Sequence, residues 1–491
     1  MKKKLLLLVC TICCISLSHA QWTQTGADID GEAAEDALGR NSVSMSADGS
    51  ILAVGAHLND GNGSDAGHVR IYKNENGAWT QIGTDIEGVA AADNFGWAVS
   101  LNAAGNIVAI GAPYNDGSGV NSGHVRVYRN VNNTWTQVGA DIQGEANFDL
   151  SGNSVSMSAD GNTVAIGAEG NGATLAGHAR IFTNVNDTWV QVGSDIDGEA
   201  ANDRSGWRIG LSADGTIVAI SAFQNDGNGV DSGHVRVFRY ANNTWTQIGS
   251  DIDGETASDK FGSSLSLSED GLVVAIGSIW NFGNGTNAGH VRVFRNINDT
   301  WTQIGADIDG APFDRAGGSV ELSYDGNIVA VGSLGGTGLR GFVSIYKNEN
   351  DAWVQVGADI LGESINDHSG ASLGFSDSGG AVAIGTGLND GNGNDAGHVR
   401  VFGNPTLSVN DVALQNLTVY PNPANTTVFV QSKTRIETIT IFDGRGTQIK
   451  TMTPTEIQGN YPIDVSDLAT GFYFMTLQSG TSSQTKKFMK N

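Results

Sequence analysis

Cysteine and proline are scarce in this sequence. Among 491 residues there are three cysteines and seven prolines. Cys10, Cys13 and Cys14 all lie in the first 20 residues, so the rest of the chain has no thiol with which to form a disulfide or a catalytic nucleophile. Beyond those residues no apolar run approaches the roughly 18 residues of a membrane-spanning helix. The sequence therefore predicts a soluble domain without a membrane span and without covalent cross-links.

The first 20 residues have the pattern of a secretory signal peptide. Lys2, Lys3 and Lys4 precede an apolar run, and Ser18-His19-Ala20 provides a small-residue cleavage site. The three cysteines follow Val9, Ile12 and Cys13 rather than a small residue, which argues against lipidation. We expect cleavage after residue 20 and export of the remainder.

Basic residues are also scarce. Without the signal peptide the chain has 24 basic and 52 acidic side chains, a formal charge of −28. Nucleic-acid binding is not expected, because phosphates require basic surfaces. The acidic excess is uneven: residues 21–410 hold 17 basic against 46 acidic side chains, whereas residues 411–491 hold seven against six. Two regions of different chemistry are predicted.

A phrase of about 55 residues repeats seven times in the acidic region. Each copy opens with W-x-Q-x-G-x-D-I-x-G and continues through S-V-S-L-S-A-D-G, I-V-A-I-G-A, N-D-G-N-G and G-H-V-R-V-Y, with small variations. The tryptophans that open the copies are Trp22, Trp79, Trp135, Trp189, Trp245, Trp301 and Trp353. A fixed period of this length indicates a repeat architecture.

Each copy contains four strand signals and no helical pattern. In the first copy they are residues 42–46, 51–56, 68–72 and 79–83, with alternating or β-branched apolar residues, and Asp48-Gly49 marks a hairpin turn. Seven periods of four antiparallel strands predict an all-β fold, a seven-bladed β-propeller over residues 21–403. The last copy ends at Phe402 without its Trp-containing strand. We expect residues 22–26 to supply that strand and to close the ring.

The segment NFGWAVSLNAAGNIVAIGAP, residues 94–113, resembles the FG-GAP repeat of integrin α-subunit propellers and secreted bacterial propellers. Phe95-Gly96 and Gly111-Ala112-Pro113 carry the resemblance, and Phe261-Gly262 is a weaker copy. The resemblance implies a propeller with a role in binding or adhesion. The acidic calcium loop of that family does not carry over, because the corresponding turn here is Ser46-Ala47-Asp48-Gly49.

Residues 417–491 follow a linker at 404–416 and resemble the C-terminal sorting domain of the type IX secretion system of Bacteroidetes. Alternating strands and a near-neutral charge agree with a small β-sandwich. The resemblance implies the type IX translocon as a partner and a location at the cell surface or outside the cell. The motif positions that carry it are Tyr420, Pro421, Asn422, Pro423, Gly471, Tyr473, Lys487 and Lys490.

Acidic loops are predicted on one face of the propeller, since the connection after the second strand and the connection between blades emerge at the same end of a blade. Their Asp and Asn oxygens on Gly-bent loops are ligands that calcium prefers. The same residues are also what tight turns require, and both interpretations remain open. No cofactor is required by the sequence, and calcium is the ion for which it offers ligands. The proposed ligands are Asp60, Asn62, Asp65, Asp226, Asn228, Asp231, Asp390, Asn392 and Asp395.

Three further sets of residues invite a functional interpretation. An Asp that opens every inter-blade connection, Asp28 in the first copy, is expected to cap backbone amides. A histidine repeated in six copies, such as His68, is expected to pack with a satisfied hydrogen bond. Trp97, Trp207 and Trp280 break the repeat, and we expect them to stack on a sugar ligand.

We found no catalytic motif in the sequence, and the copies are too alike to predict an asymmetric active site. Binding or adhesion, to a glycan or a protein, is therefore the expected function, and the chain is not expected to be an enzyme. The alternative is a polysaccharide hydrolase or lyase built on the propeller. A purely structural role at the surface would involve neither ligand nor turnover.

If the acidic loops bind calcium, the melting temperature of residues 21–403 should rise in excess calcium, because a ligand that prefers the native state stabilises it by mass action. Calorimetry in calcium against chelator measures this, with magnesium as the control. Equal melting temperatures in all three conditions would mean that the loops are turns.

Overall fold

In the computed structural model, residues 21–172, 174–404, 407, 418–432, 438–443, 448–452, 459–479 and 482–491 are described. The predicted signal peptide and most of the predicted linker lie outside these residues. The described part is almost entirely β-structure, with one short 3-10 helix, Thr337–Leu339. The predicted all-β class is confirmed.

Seven five-stranded antiparallel sheets, one per repeat, form the region of residues 21–404. We call them blades 1 to 7 in the chain order of their innermost strands. The innermost strands are Val43–Met45, Ala98–Leu101, Ser154–Met157, Ile209–Leu211, Ser264–Leu267, Ala316–Leu322 and Ser372–Phe375. The second strands are Ile51–Ala56, Ile107–Ala112, Thr163–Ala168, Ile217–Ala222, Val273–Ser278, Ile328–Ser333 and Ala381–Thr386. The third strands are His68–Glu75, His124–Val131, His178–Asn184, His234–Ala241, His290–Ile297, Phe342–Asn348 and His398–Gly403.

Two short strands complete the outer edge of each blade. The fourth strands of blades 1 to 7 are Ala78–Gln81, Thr134–Gln137, Trp189–Gln191, Thr244–Gln247, Thr300–Gln303, Trp353–Gln355 and Thr23–Gln24. The fifth strands are Ile86–Glu87, Ile142–Gln143, Ile196–Asp197, Ile252–Asp253, Ile308–Asp309, Ile360–Leu361 and Ile29–Asp30. Both pair with the third strand of their blade.

The fifth strand was not predicted from the sequence, and a glycine explains it. In blade 1 the outer edge is interrupted at Gly83, whose φ is 80°. A Cβ there would lie 2.8 Å from Cδ1 of Trp135 in the next blade, so the position requires glycine. Past this turn the chain pairs with the third strand again, through Ile86 and Val69.

The N-terminal strand belongs to the last blade. Thr23 pairs with Gly403 and Gln24 with Phe402, and the fifth strand of blade 7 pairs Ile29 with Val399. The first and last parts of the repeat region therefore form one sheet, as the missing strand of the last copy predicted.

Tryptophan side chains join each blade to the one before it. The indole N–H of every repeat tryptophan donates to a backbone carbonyl of the preceding blade at 2.8–3.0 Å. Trp22 makes the equivalent bond to Val356 and so joins the N-terminus to blade 6. Between the blades lie separate apolar clusters formed from the faces of neighbouring sheets.

The innermost strands line an axial channel and bond to one another around it. At the end where they turn into the second strands, which we call the lower face, seven backbone N–H groups each donate to the next blade at 2.8–3.1 Å. Their donors are Ala47, Ala103, Ala159, Ala213, Glu269, Tyr324 and Asp377, and the last of these donates back to Ala47. The opposite end, the upper face, carries the long connections.

The C-terminal region is a two-sheet sandwich. Thr418–Tyr420, Thr427–Ser432 and Gly459–Asp464 form one sheet, and Thr438–Asp443, Gln448–Met452, Gly471–Ser479 and Ser482–Lys490 form the other. Apolar side chains from both sheets, among them Val430, Ile441 and Phe488, form one buried core. This agrees with the β-sandwich that the alternating pattern predicted.

Deletion of residues 21–27 should lower the melting temperature by several degrees, because it removes the buried Trp22 and the strand pairing to Gly403. Differential scanning calorimetry of the deletion variant measures this, with removal of Gln21 alone as the control. A deletion variant that melts with the intact protein would show that the ring does not depend on this strand.

Candidate functional site

The upper end of the axial channel is surrounded by residues that differ between repeats. The second strands end and the innermost strands begin at this end, so two sets of connections meet there. At five of the seven junctions between blades, a parallel bridge such as Gly123 to Ser151 or Gly177 to Ser205 joins the two sets. A cavity of about 370 Å³ lies at this end, which we call the channel mouth. Its lining includes Arg40, Asn41, Trp207, Arg208, Phe223, Lys260, Trp280 and His368.

The three tryptophans that break the repeat lie at this mouth. Trp207 and Trp280 line the mouth cavity, and Trp97 lines the channel cavity directly below it. The two cavities share Asn41 and Arg208. The structure thus brings together three side chains from three different blades.

The packing of the three rings differs. The indole N–H of Trp207 donates to the Ser263 carbonyl at 3.1 Å, and Arg208 and Phe223 lie 4.6 and 4.7 Å from its ring centre. Trp207 is therefore held in place by its neighbours. Trp280 is half-buried and has the Arg315 guanidinium 5.4 Å from its ring centre.

Trp97 meets two aromatic rings edge to face. The ring centre of His57 lies 4.9 Å from that of Trp97, and the ring centre of Tyr114 lies at 5.8 Å. Burial first, and the Arg40 charge second, lower the pKa of His57 to about 3. His57 is therefore neutral at physiological pH and acts as part of an aromatic wall.

Cationic side chains are concentrated at the mouth of this acidic domain. Arg40, Arg208 and Lys260 line the cavity, and Arg315 lies beside it on Trp280. Burial, and after it the Arg315 and Arg40 charges, lower the pKa of His368 in the same lining. The mouth is thus positively charged, although the loops farther out on the same face are acidic.

Below the mouth the channel contains one carboxyl group among hydroxyl groups. Ser44, Ser100, Ser156 and Ser266 occupy equivalent positions on four innermost strands, and Glu321 occupies that position in blade 6. Its Oε2 accepts a hydrogen bond from the Ser266 hydroxyl at 3.0 Å. Burial raises the pKa of Glu321 to about 7.

The proposed calcium ligands form the same hydrogen bonds in three blades. In blade 1 the backbone N–H of Asp65 donates to Asp60 Oδ1 at 2.9 Å, and the Asn62 amide donates to the Gly88 carbonyl at 2.7 Å. Asp226, Asn228 and Asp231 repeat this arrangement, as do Asp390, Asn392 and Asp395. These bonds are those of a turn, and the calcium assignment stays a prediction.

The expectation that the first Asp of each connection caps the backbone is wrong. In every blade its carboxylate accepts a hydrogen bond from the Gln four residues earlier, at 2.5–2.8 Å. The second Asp of the connection caps the backbone instead. In blade 7, for example, Asp36 accepts from the N–H groups of Glu32 and Ala33. Asp36 is buried at the end of the turn that contains these two N–H groups.

The repeated histidines are buried as expected, but the predicted satisfied hydrogen bond is absent at Nε2. Each of the six is the first residue of its third strand and is about 1% exposed, and Nε2 has no hydrogen-bond partner among the described residues. In blade 1, His68 Nδ1 lies 3.8 Å from Asp85 Oδ2, while burial above all lowers the pKa of His68 to about 4. A neutral ring tolerates this environment.

In five blades this histidine lies near one Asp and one Glu, which is a donor set that could hold a metal ion. The group of blade 1 is Glu32, His68 and Asp85. The Glu already forms an ion pair with an arginine, however, because Arg70 Nη1 lies 3.5 Å from Glu32 Oε1. Because that guanidinium repels a cation, we interpret these groups as structural ion pairs.

In the C-terminal sandwich the proposed sorting residues come together from both ends of the domain. Asn422 Oδ1 accepts from the N–H of Met489 at 2.9 Å, and the Asn422 amide donates to the Lys487 carbonyl. Tyr420 stacks on Phe429, Tyr473 stacks on Phe488, and Gly471 opens the strand that carries Tyr473. Lys487 lies over Phe472, and Lys490 donates to the Asn491 carbonyl. The peptide bonds preceding Pro421 and Pro423 are cis.

The sequence analysis did not single out Arg40, Arg208, Lys260 or Glu321. The signal was nevertheless present, because each departs from its equivalents. Arg208, for instance, stands where other blades have Ser264 or Ser319, just as Glu321 stands where they have Ser266. Comparing the seven copies position by position would have identified them.

Comparison with known families supports both assigned regions. Residues 418–491 match the secretion system C-terminal sorting domain, and residues 87–128 match the FG-GAP repeat. None of the curated proteins compared with the chain matches it. The chain thus carries a type IX sorting domain that engages the secretion machinery, and the protein is exported to the cell surface or released. In the described residues we find no helix long and apolar enough to span a membrane.

Two solved structures are among those similar to the chain, both described as 6-phosphogluconolactonases. The protein from Bacteroides uniformis ATCC 8492 has 15% identity and a TM-score of 0.48, over 66% of this chain and 86% of its own. The protein from Bacteroides fragilis NCTC 9343 has 14% identity and a TM-score of 0.46, over 67% and 85% respectively.

Replacement of Glu321 by Gln should change how stability depends on pH. A carboxyl group whose pKa is raised from 4.5 to about 7 on folding binds more protons in the native state, so stability falls as pH rises between these values. The Glu321→Gln variant should therefore melt at a higher temperature than the parent at pH 8, and the difference should shrink towards pH 4.5.

Thermal unfolding at pH 4.5, 6 and 8 measures this difference. The exposed Glu349→Gln variant is the control and should follow the parent at each pH. A Glu321→Gln variant that keeps the parent's pH dependence would contradict the raised pKa.

Proposed function

We propose that this exported propeller is a carbohydrate-binding protein whose ligand enters the channel mouth. The observation that carries the proposal is the convergence of Trp97, Trp207 and Trp280, which belong to three different blades and interrupt the repeat. Binding sites are typically concave and lined by aromatic residues with a few polar groups, and the mouth has this composition. Aromatic faces also suit the apolar faces of sugar rings.

The cavity supports binding rather than hydrolysis. Canonical glycosidases use two carboxyl groups that flank the scissile bond. Glu321 is the one carboxyl group that we find in the channel lining of the described residues. Asp367, in the lining of the mouth, is buried and accepts a hydrogen bond from the N–H of Ser364 at 2.8 Å. A carboxylate pair placed for hydrolysis is therefore missing from these linings.

An enzyme remains the alternative, and Glu321 is the observation that favours it. Its carboxyl group shares the channel cavity with Trp97 and Arg208, and a pKa of about 7 suits proton transfer near neutral pH. A lyase that removes a proton from a sugar would need one such base. Recovering the oligosaccharides intact after long incubation would argue against this alternative.

Replacement of Trp280 by Ala should weaken glycan binding by about tenfold or more, since a stacked aromatic contact and its buried area are lost. Screening residues 21–491 on a glycan array, followed by calorimetric titration of the bound glycans, measures this. The control is Phe282→Ala, which removes an aromatic ring from the same connection that is 51% exposed and does not line the cavity. Unchanged affinity in the Trp280 variant would place the ligand elsewhere.

A further inference from the structure

The cations at the channel mouth are not part of the repeat. Arg40 and Arg208 lie one and two residues after the glycine that precedes their innermost strands. Lys260 and Arg315 each lie two residues before the equivalent glycine of their own repeat. Blades 1 to 3 have Ala37, Asn94 and Leu150 where Lys260 stands, whereas basic residues occupy this position in blades 4, 6 and 7, as Arg204, Arg315 and His368. The charge is therefore confined to part of the ring, as expected for one site rather than a structural feature of every blade.

Three of these cations lie against aromatic rings, and none of the four forms a close ion pair, although Asp367 shares the cavity lining and the Glu169 charge acts on Arg208. Among the described residues, no carboxylate oxygen lies within 4.0 Å of the charged nitrogens of Arg40, Arg208, Lys260 or Arg315. Instead Arg208 lies 4.6 Å from the Trp207 ring centre, Lys260 lies 5.5 Å from that of Phe223 and Arg315 lies 5.4 Å from that of Trp280. A ring holds a cation without occupying all of its N–H donors.

The contrast with the rest of the propeller is informative. The arginines repeated on the third strands are paired with glutamates: Arg180 Nη1 lies 3.3 Å from Glu145, and Arg236 Nη1 lies 3.4 Å from Glu199. In a region with 46 acidic and 17 basic side chains, a carboxylate partner is easily supplied. Around a single cavity, four cations lack a close carboxylate partner, which indicates that a ligand is their partner.

We infer that the ligand of the channel mouth is the end of an acidic glycan chain, whose carboxylate or sulfate group binds Arg40, Arg208 and Lys260 while its sugar ring contacts Trp280. This inference rests on the proposed carbohydrate-binding function and specifies its ligand class. Guanidinium groups recognise carboxylate and sulfate oxygens through paired hydrogen bonds. The cavity of about 370 Å³ falls in the range of small-ligand sites.

The acidic rim explains why a chain end is favoured over an extended polyanion. Glu32, Glu35 and Asp60 are exposed on the loops outside the mouth. A polyanion lying across this face would meet those carboxylates, whereas a chain end reaches the mouth with one anionic group. The aromatic rings beside the cations favour a sugar over an acidic peptide.

The test compares acidic and neutral glycans on residues 21–491. Glycans ending in a uronate or a sulfated sugar should bind at least about tenfold more tightly than matched chains with a methyl-esterified or unsulfated end, and added salt should weaken the acidic ligands alone. Comparing the uronate-ended glycans with the sulfated ones shows which of the two anionic groups the site binds. Titration calorimetry on the best array ligand gives the affinities.

A double variant, Arg40→Gln with Lys260→Gln, should lower affinity for the acidic glycan by about tenfold or more while its neutral analogue is unaffected. The matched control, Arg295→Gln with Lys347→Gln, makes the same change of charge on the third strands of blades 5 and 6, outside the mouth lining. Circular dichroism must show both variants folded, and a mouth variant that unfolds is replaced by the single variant Arg40→Gln, whose side chain is exposed.

Each contrary result has a distinct meaning. Equal affinity for acidic and neutral glycans, with no effect of the mouth variant, would overturn the charge selectivity and leave carbohydrate binding intact. Absence of any glycan binding would overturn the proposed function together with this inference. Equal binding of polyglutamate or a single-stranded oligonucleotide would overturn the glycan class.

Discussion

The open inner edge of every blade is the constraint on which the rest of the propeller depends. An innermost strand pairs on one side only, and its other side carries backbone groups that need partners. Two kinds of hydrogen bond provide these partners. Serine hydroxyls reach across, as where Ser44 accepts from the N–H of Leu101 in the next blade, and the lower turns bond in a ring of seven backbone contacts. Because every such bond crosses between blades, no blade is complete without its neighbours. The repetition of Ser on the innermost strands thus has a direct physical cause.

The glycine pairs of the FG-GAP segment satisfy the same constraint. A Cβ on Gly111 would lie 2.0 Å from the Gly152 carbonyl oxygen of the next blade, so the blades approach as closely as backbone allows. Phe95, next to Gly96, is almost fully buried between blades 1 and 2. The glycines and Phe95 therefore serve the close packing of neighbouring blades. The resemblance to this repeat therefore reports on architecture, and the identity of any ligand has to come from residues that differ between blades.

This distinction explains how much the sequence could predict. Residues imposed by packing recur seven times, so periodicity was sufficient for the strands, the repeat tryptophans and the missing strand of the last copy. The fifth strand was not predicted because two residues such as Ile86 and Glu87 are too few to show the apolar alternation that marks a strand. The channel mouth was not predicted for another reason. Its residues are far apart in the chain, and only the closed ring of blades brings them next to one another. The backbone cap was also assigned to the first aspartate of each connection instead of the second, since composition does not show whether a carboxylate faces a side chain or a backbone amide.

The pairing of Thr23 with Gly403 also sets the order of assembly. The strand that completes blade 7 is made first and its partner is made last, separated by nearly the whole repeat region. Until residue 403 has emerged, this N-terminal strand has no native partner, and the growing array ends in an unpaired edge. Such distant pairing slows folding and exposes sheet edges to other chains. Closure is thus a late step, and the acidic charge of the repeats keeps unfinished chains apart through mutual repulsion while it is pending.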